Sequence, residues 1–326
     1  MPPHPLPIPP SSPYFLVLNA GSGAGHAEAA EAAVAQVLGE AGRQHEVIRV
    51  SSGTALVQAA AQAVQQARRH RGVVVAAGGD GTLNAVAQAV LPTGLPFGVL
   101  PRGTFNYFSR THGIPADPVQ AATLLVRSHA HPVQVGLVND RVFLVNASLG
   151  MYPQLLEDRE AYKRRFGRSR WVARLAGLAA LLGQHRQMHV VLERGDQTLR
   201  ARTPTLFVGN NRLQLGQLGL PEADAVETDG VLAALMLRPV GPLSMLGLAM
   251  RGALGQLGET DDVLRFTFRQ LTVRPAMLRR WRAVKVATDG ELLRLRPPLS
   301  FRVSPQPLML LKPAFRPGET PPDPDA

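Results

Sequence analysis

The sequence contains no cysteine. That excludes disulfides, thiolate nucleophiles and cysteine-based zinc sites, and it accords with a cytosolic protein. Aromatic residues are only 5% of the chain, and lysine is nearly absent among its 35 cationic residues, so arginine carries almost all the positive charge. Long hydrophobic runs are missing too. The best, Leu175–Gly183 and Pro242–Met250, fall far short of the ~20 residues a membrane-crossing helix needs. The Pro-rich start lacks the basic-then-apolar pattern of a secretory signal. No glycine loop is followed by Gly-Lys-Ser or Gly-Lys-Thr, which excludes a P-loop. The nine histidines form no metal-ligand spacing.

What remains is a chain of 326 residues, 45% hydrophobic, long enough for two domains with sizeable cores. Its net charge of +11 is unevenly placed: residues 1–135 hold 8 cations and 6 anions, and the remainder 27 and 18. Such an excess points to an anionic partner. Residues 1–12 read as a disordered tail, and so do residues 313–326. Between residues 13 and 135 apolar strands alternate with helical stretches: Tyr14–Asn19, a helix near 26–38, Glu46–Val50, a helix near 54–70, Val73–Ala77, a further helix, and Phe97–Leu100. This order predicts an α/β domain with an open parallel sheet. Residues 136–312 read as a mainly antiparallel β-sandwich domain, with strands at 131–138, 141–148, 189–193, 198–209, 231–237, 264–273, 283–287 and 299–303. Asn139-Asp140 marks a hairpin turn, and helical interruptions are expected near 153–183 and 243–257.

The densest signal is Ala76-Ala77-Gly78-Gly79-Asp80-Gly81-Thr82-Leu83-Asn84. Gly78, Gly79 and Gly81 leave a buried strand, turn tightly and present backbone N–H groups at the start of a helix, where an anion is favoured. Thr82 is expected to cap that helix. A bare Asp80 carboxylate repels phosphate, so its presence implies a bridging Mg²⁺ or a water-mediated contact. The plainer alternative is a strand-to-helix turn that Asp80 merely caps. The loops 19–25, 78–82 and 101–106 all leave strands at the carboxyl end of the sheet, the end at which such sheets bind ligands.

Gly78–Thr82 resembles the nucleotide loop shared by diacylglycerol and sphingosine kinases, NAD kinases and phosphofructokinases. Leu100-Pro101-Arg102-Gly103-Thr104-Phe105-Asn106-Tyr107-Phe108-Ser109-Arg110 is similar to the corresponding segment of bacterial diacylglycerol-kinase-like lipid kinases. The resemblance covers most of residues 14–312. It implies a nucleotide-binding α/β domain, a β-sandwich domain and an active site in the cleft between them. ATP contacts would come from Asn19, Gly21, Ser22, Gly23, Gly78, Gly79, Asp80, Gly81, Thr82, Arg102, Gly103, Thr104 and Asn106. Ala20 stands where the family usually has Pro, and Tyr107 where many relatives carry a Mg²⁺-binding Asp, so metal binding rests on Asp80. Arg110 is read as a surface residue. Thr288-Asp289-Gly290-Glu291 reads by itself as a hairpin turn. It also resembles a family motif whose Asp is the general base for the lipid hydroxyl, which would make Asp289, Glu291 and Asp80 the catalytic set. Thr228-Asp229-Gly230 resembles a structural Mg²⁺ segment with its first acid lost; a turn is favoured there over a metal ligand at Asp229.

Between Arg159 and Arg174 seven cations interleave with Tyr162, Phe166 and Trp171, and 277–282 repeats that composition. A solvated face and an interfacial segment docking on anionic lipid describe it about equally, with a slight lean to the membrane. The expectation is thus an ATP- and Mg²⁺-dependent lipid kinase, cytoplasmic and peripheral on the inner membrane surface. Its partners would be a lipid substrate and no nucleic acid, and a homodimer is left open. An NAD kinase-like small-molecule kinase and a non-catalytic lipid- or nucleotide-binding protein are the alternatives.

Overall fold

The computed structural model describes residues 5–20, 24–51, 53–151, 153, 187–276 and 283–313. The readings of Gly21, Ser22 and Gly23 and of the basic segments 159–174 and 277–282 lie outside these residues. The chain divides into two compact units, Met1–Val135 with Ser304–Ala326, and Gly136–Val303.

The first unit is built on β1 (Tyr14–Asn19), β2 (His45–Val50), β3 (Val73–Gly78) and β4 (Pro96–Pro101), all parallel, with α1 (Ala24–Glu40), α2 (Gly53–His70) and α3 (Asp80–Val90) as crossovers. Every residue of β3 is buried, because helices cover both faces of such a sheet and the strand can be apolar throughout. In α2 the buried set is Leu56, Ala59, Ala60, Ala63 and Ala67, a helical stripe whose small side chains let the helix lie close on the strands. Asp117 starts α5 (Pro118–Arg127) by accepting the Gln120 N–H at 2.8 Å. Leu125 of α5 fills the space over Gly98 in β4, where a Cβ would come within 2.5 Å of it. The strand order begins β2-β1-β3-β4, so the direction of winding reverses between β1 and β3. That switch point opens a crevice at the carboxyl ends of the strands.

The sheet does not stop at β4. Two more strands extend it: β18 (Leu308–Lys312), parallel to β4, and β5 (His129–Val133), antiparallel to β18. Residues 304–312 therefore belong to the first unit, which corrects the expectation of a second domain running to residue 312. Four of the five residues of β18 are buried, and they cover the otherwise open edge of β4. Ser304 N–H donates to Val135 C=O at 2.9 Å where the chain leaves and rejoins this unit.

The second unit holds two six-stranded antiparallel sheets. One has β10 (Gln197–Thr203), β9 (Met188–Arg194), β14 (Gln270–Pro275), β17 (Leu299–Val303), β6 (Gly136–Val138) and β7 (Arg141–Phe143) in that order. The other has β13 (Val263–Phe268), β12 (Leu232–Leu237), β11 (Thr205–Gly209), β8 (Asn146–Gly150), β15 (Val284–Thr288) and β16 (Glu291–Leu295). Val138, Phe143, Leu192, Leu271 and Phe301 from the first sheet form one core with Ala147, Leu149, Val208, Ala234 and Val286 from the second, so the two pack face to face. The outer face of the second sheet is partly covered by α6 (Arg212–Gln217), α7 (Glu222–Thr228) and α8 (Pro242–Ala253), which pack on Ala233 and Leu235.

Four expected strands, 131–138, 141–148, 198–209 and 264–273, are each two strands. Their apolar alternation runs on through the break while the backbone turns from one sheet into another. At residues 203–205 the cause is local: Pro204 has no N–H for a ladder, and Thr203 Oγ1 bonds the Thr205 and Leu237 carbonyls at 2.6 and 2.8 Å, fixing the bend. Asn139-Asp140 does turn the chain between β6 and β7, with Asn139 at φ 53°. Helices α5, α6 and α7 and strands β16 and β18 were not read from the sequence.

Leu310, fully buried between β4 and β5, tests the added strand. Leu310→Ala is expected to cost about 2–5 kcal/mol, read as a lowered urea midpoint. An unchanged midpoint would mean that β18 contributes no core to this unit.

Candidate active site

In the first unit three strand ends come together. β3 ends at Gly78, and α3 begins with Gly79 as its extended N-cap (φ −82°, ψ 178°) and no side-chain cap. Thr82 therefore does not cap the helix as expected. It lies inside the first turn, buried, and its hydroxyl accepts the Asn19 Nδ2–H at 3.0 Å, joining the end of β1 to α3 across the switch point. Gly78 makes room for this, since a Cβ there would sit 2.5 Å from Thr82 Cβ. The second loop packs on the first backbone to backbone: a Cβ on Gly103 would lie 2.9 Å from Gly79 Cα, and one on Gly79 would lie 3.2 Å from Gly103 Cα. Arg102 completes the junction. Its N–H donates to Gly78 C=O and its Nη1 to Asn19 C=O, both at 2.9 Å. Burial lowers the Arg102 pKa, yet a guanidinium stays charged at any physiological pH.

Asn106, at φ 47°, shapes its loop rather than reaching outward. Its amide exchanges two hydrogen bonds with Gly103, donating to the C=O at 2.9 Å and accepting the N–H at 2.8 Å. Asp80 is the tie between the two motifs: its carboxylate forks across the backbone N–H groups of Tyr107 and Phe108, both at 3.3 Å, at the start of α4 (Tyr107–Thr111). Burial raises the Asp80 pKa, and the two N–H groups oppose the shift. Phe105 is 60% exposed and stacks on Tyr107 with ring planes 7° apart. Arg110 is not simply a surface residue, because it lines a cavity of about 60 Å³ with Pro101, Thr104, Phe105 and Asn106.

In the second unit Asp289 and Gly290 have φ 47° and 85°, the two positive values of a two-residue hairpin turn, and Thr288 pairs with Glu291 across it. The turn is more than a turn. Asp289 is 8% exposed, and its Oδ2 accepts the Leu144 N–H at 2.7 Å while Oδ1 accepts those of Val145 and Asn146 at 2.9 and 3.0 Å. Its own N–H donates to Asn146 C=O at 3.0 Å. The clamped segment between β7 and β8 is held from a second side by Asn210, which bonds Leu144 C=O through its side chain and Val145 C=O through its N–H. Asn146 Nδ2 donates to Gln214 Oε1 at 3.0 Å on α6, a helix capped by Asn211. Asn146, Asn210 and Gln214 were missed in the sequence. The available signals were an Asn inside the apolar run 142–149 and the doublet Asn210-Asn211 before a helix. Glu291 is exposed at the start of β16.

Asp229 lies exposed at the end of α7, accepting the Thr228 hydroxyl at 2.9 Å, while the neighbouring acids Asp224 and Glu227 pair with Arg212. One carboxylate, with its neighbours neutralised by a cation, does not fit a structural Mg²⁺ site.

The sequence model of the diacylglycerol kinase catalytic domain matches residues 13–138. A chain named "Putative lipid kinase" from Staphylococcus aureus (strain JH9) is 26% identical over 222 residues, 67% of this chain and 68% of that one. A crystal structure described as "a putative diacylglycerol kinase" from Bacillus anthracis str. Sterne covers 93% of this chain and 97% of its own at a TM-score of 0.70 and 18% identity. A second crystal structure, of a diacylglycerol kinase from the same organism, gives 0.65 over the same shares. At that identity the likeness is one of fold.

Two expectations follow from the carboxylates. The folded Asp80 pKa lies above the usual 3.8, so folding favours the protonated form, and the wild-type protein loses that contribution as pH rises through the folded value. Asp80→Asn cannot ionise, so it should gain stability relative to wild type between about pH 4 and pH 7. Urea midpoints across that range check the sign, and a difference that is flat or falls with pH contradicts it. Asp289→Ala leaves three buried N–H groups without their acceptor and should cost at least about 3 kcal/mol in the same assay. A cost near zero would show that the clamp is not part of the fold's stability.

Proposed function

We propose that the chain belongs to the diacylglycerol kinase catalytic-domain family, whose model matches residues 13–138, and that it transfers the γ-phosphoryl group of ATP, with Mg²⁺, to a hydroxyl of a lipid. The observation that carries this reading is the joining of the two glycine motifs, with Gly79 against Gly103 and the Asp80 carboxylate across the N–H groups of Tyr107 and Phe108. Two unrelated strand-to-helix turns would have no reason to be locked together this way. Phosphoryl transfer asks a protein mainly for positioning and charge stabilisation, which is what a rigid, cationic strand end at a helix start supplies.

In this reading Gly78, Gly79 and Gly81 let the backbone approach the phosphates, Arg102 supplies fixed charge, and Thr104 offers an exposed hydroxyl. Asn19, Thr82 and Asn106 hold the loops in shape. Among the described residues no three His, Asp or Glu side chains lie together, so a metal cage built wholly of protein is not available there. Mg²⁺ at phosphoryl-transfer sites is ordinarily held by one or two carboxylates together with phosphate oxygens and water, and Asp80 fits that demand. When bound, Mg²⁺ neutralises charge on the β- and γ-phosphate oxygens.

Asp289 would accept the proton of the attacking lipid hydroxyl. Its three N–H donors favour a second reading, in which Asp289 only anchors residues 144–146. No helix among the described residues is long and apolar enough to cross a membrane. Action at the cytoplasmic membrane surface is part of the proposal, supported by the cationic excess of residues 136–326.

The test is transfer of label from [γ-³²P]ATP to extracted lipids. Asp80→Asn should abolish transfer with the fold intact, and near-normal turnover would remove the nucleotide loop from the reading. Asp289→Asn should lower kcat by about two to four orders of magnitude with little change in ATP affinity. A loss of kcat no larger than the loss of folded protein, with an unchanged pH profile, selects the anchoring role instead.

A further inference from the structure

β8 alternates between two faces. Ala147 and Leu149 lie in the sandwich core, so Asn146 and Ser148 stand on the opposite face of their sheet. That face is buried here too: Asn146 is 5% exposed and Ser148 not at all. Two oxygens on it, Asn146 Oδ1 and Ser148 Oγ, have no hydrogen-bond partner. Burying a polar atom without a partner destabilises a fold, and native proteins rarely keep two of them side by side unless a ligand or ordered water meets the need. Beside them on that sheet, Gly209 of β11 lies opposite Asn146, and Ser148 lies between Phe207 of β11 and Ala287 of β15. Asn146 is also tied to Asp289 twice, its N–H donating to the Asp289 carboxylate and its C=O accepting the Asp289 N–H, each at 3.0 Å. Its amide orientation is set by the bond from Nδ2 to Gln214, which leaves Oδ1 as an acceptor held in place with nothing to accept. An amide oxygen only accepts, so whatever meets it must bring a donor.

We infer that Asn146 and Ser148 form a subsite for the headgroup of the acceptor lipid, taking a second hydrogen-bond donor next to the hydroxyl that is phosphorylated. The inference rests on the lipid-kinase reading for the identity of the ligand, and on the two orphaned oxygens for the need of a donor. The favoured class is a lipid whose headgroup is a vicinal diol or amino alcohol. A headgroup with a single hydroxyl, as in diacylglycerol, would bury both oxygens unmet, and sites built around polar groups reject such analogues strongly.

Three short ethers isolate that donor: 1-O-octylglycerol, 3-octyloxypropan-1-ol, which lacks the 2-hydroxyl, and 2-amino-3-octyloxypropan-1-ol. Their binding to the full chain is measured by calorimetry, and their phosphorylation with labelled ATP. The diol or the amino alcohol should bind at least ~10-fold more tightly than the single alcohol, and which of the two does so separates a hydroxyl from an amine source. In Asn146→Ala the preference should fall to about twofold or less, with binding of the single alcohol unchanged. Ser148→Ala removes only an unpartnered hydroxyl, should lose part of the preference, and carries the test if Asn146→Ala does not fold. Equal binding of all three ethers by the wild type, as when a buried water already satisfies the oxygens, overturns the subsite, and so does a preference that survives both substitutions. Donor-dependent binding without phosphate transfer supports the subsite and removes the kinase reading. Transfer to all three with equal efficiency does the reverse.

Discussion

Gly79 and Gly103 touch backbone to backbone, and the first unit's loops depend on that contact. No side chain fits at either position without moving the other loop. With the two loops in contact, Asp80 reaches the start of α4, and Arg102 reaches both Gly78 and the end of β1. The parallel sheet supplies the frame by ending β1, β3 and β4 at one level. The glycines then remove the bulk that would hold the loops apart. The result is a rigid pair of glycine loops and one fixed guanidinium at the start of α3, where an anion is favoured.

The second unit solves a different problem with the same residue type. Asp289 occupies a left-handed turn position, which Asp tolerates better than most residues, and from there its carboxylate turns inward onto three N–H groups. A two-residue turn thus fixes a segment 143–145 positions away in sequence. That segment carries Asn146 and leads into the strand face on which Ser148 also stands. The anchoring of Asp289 and the orphaned oxygens on β8 are therefore parts of one construction: the clamp sets the position of the strand, and the strand presents the unmet acceptors.

The long-range closure of the first sheet is of the same kind. β18 enters beside β4 after the chain has passed through the whole second unit. Its residues Leu308–Leu311 are apolar and buried, but a short apolar run between prolines says nothing about which sheet it will join. The choice falls to an edge: β4 has an unpaired side, and pairing it satisfies backbone groups that would otherwise face solvent or nothing.

By itself the sequence determined the elements whose cause is local. The alternation of apolar strands with helical stripes in residues 13–101 fixed a parallel α/β sheet, and the glycine motifs marked the ends of the strands that matter. Asp289-Gly290 was legible as a turn because two positive φ values favour those residues. Tertiary structure alone decided where single runs such as 198–209 and 264–273 break, because alternation continues unchanged while the strand passes between sheets. It also decided the partners of polar side chains: that Thr82 meets Asn19 and not its own helix end, and that Asn146 meets Gln214. Hydrogen-bond partners 60 or more residues apart leave no periodic trace in a sequence. They are set by which strands lie side by side, and that is settled by burial summed over the whole fold rather than by any one stretch of it.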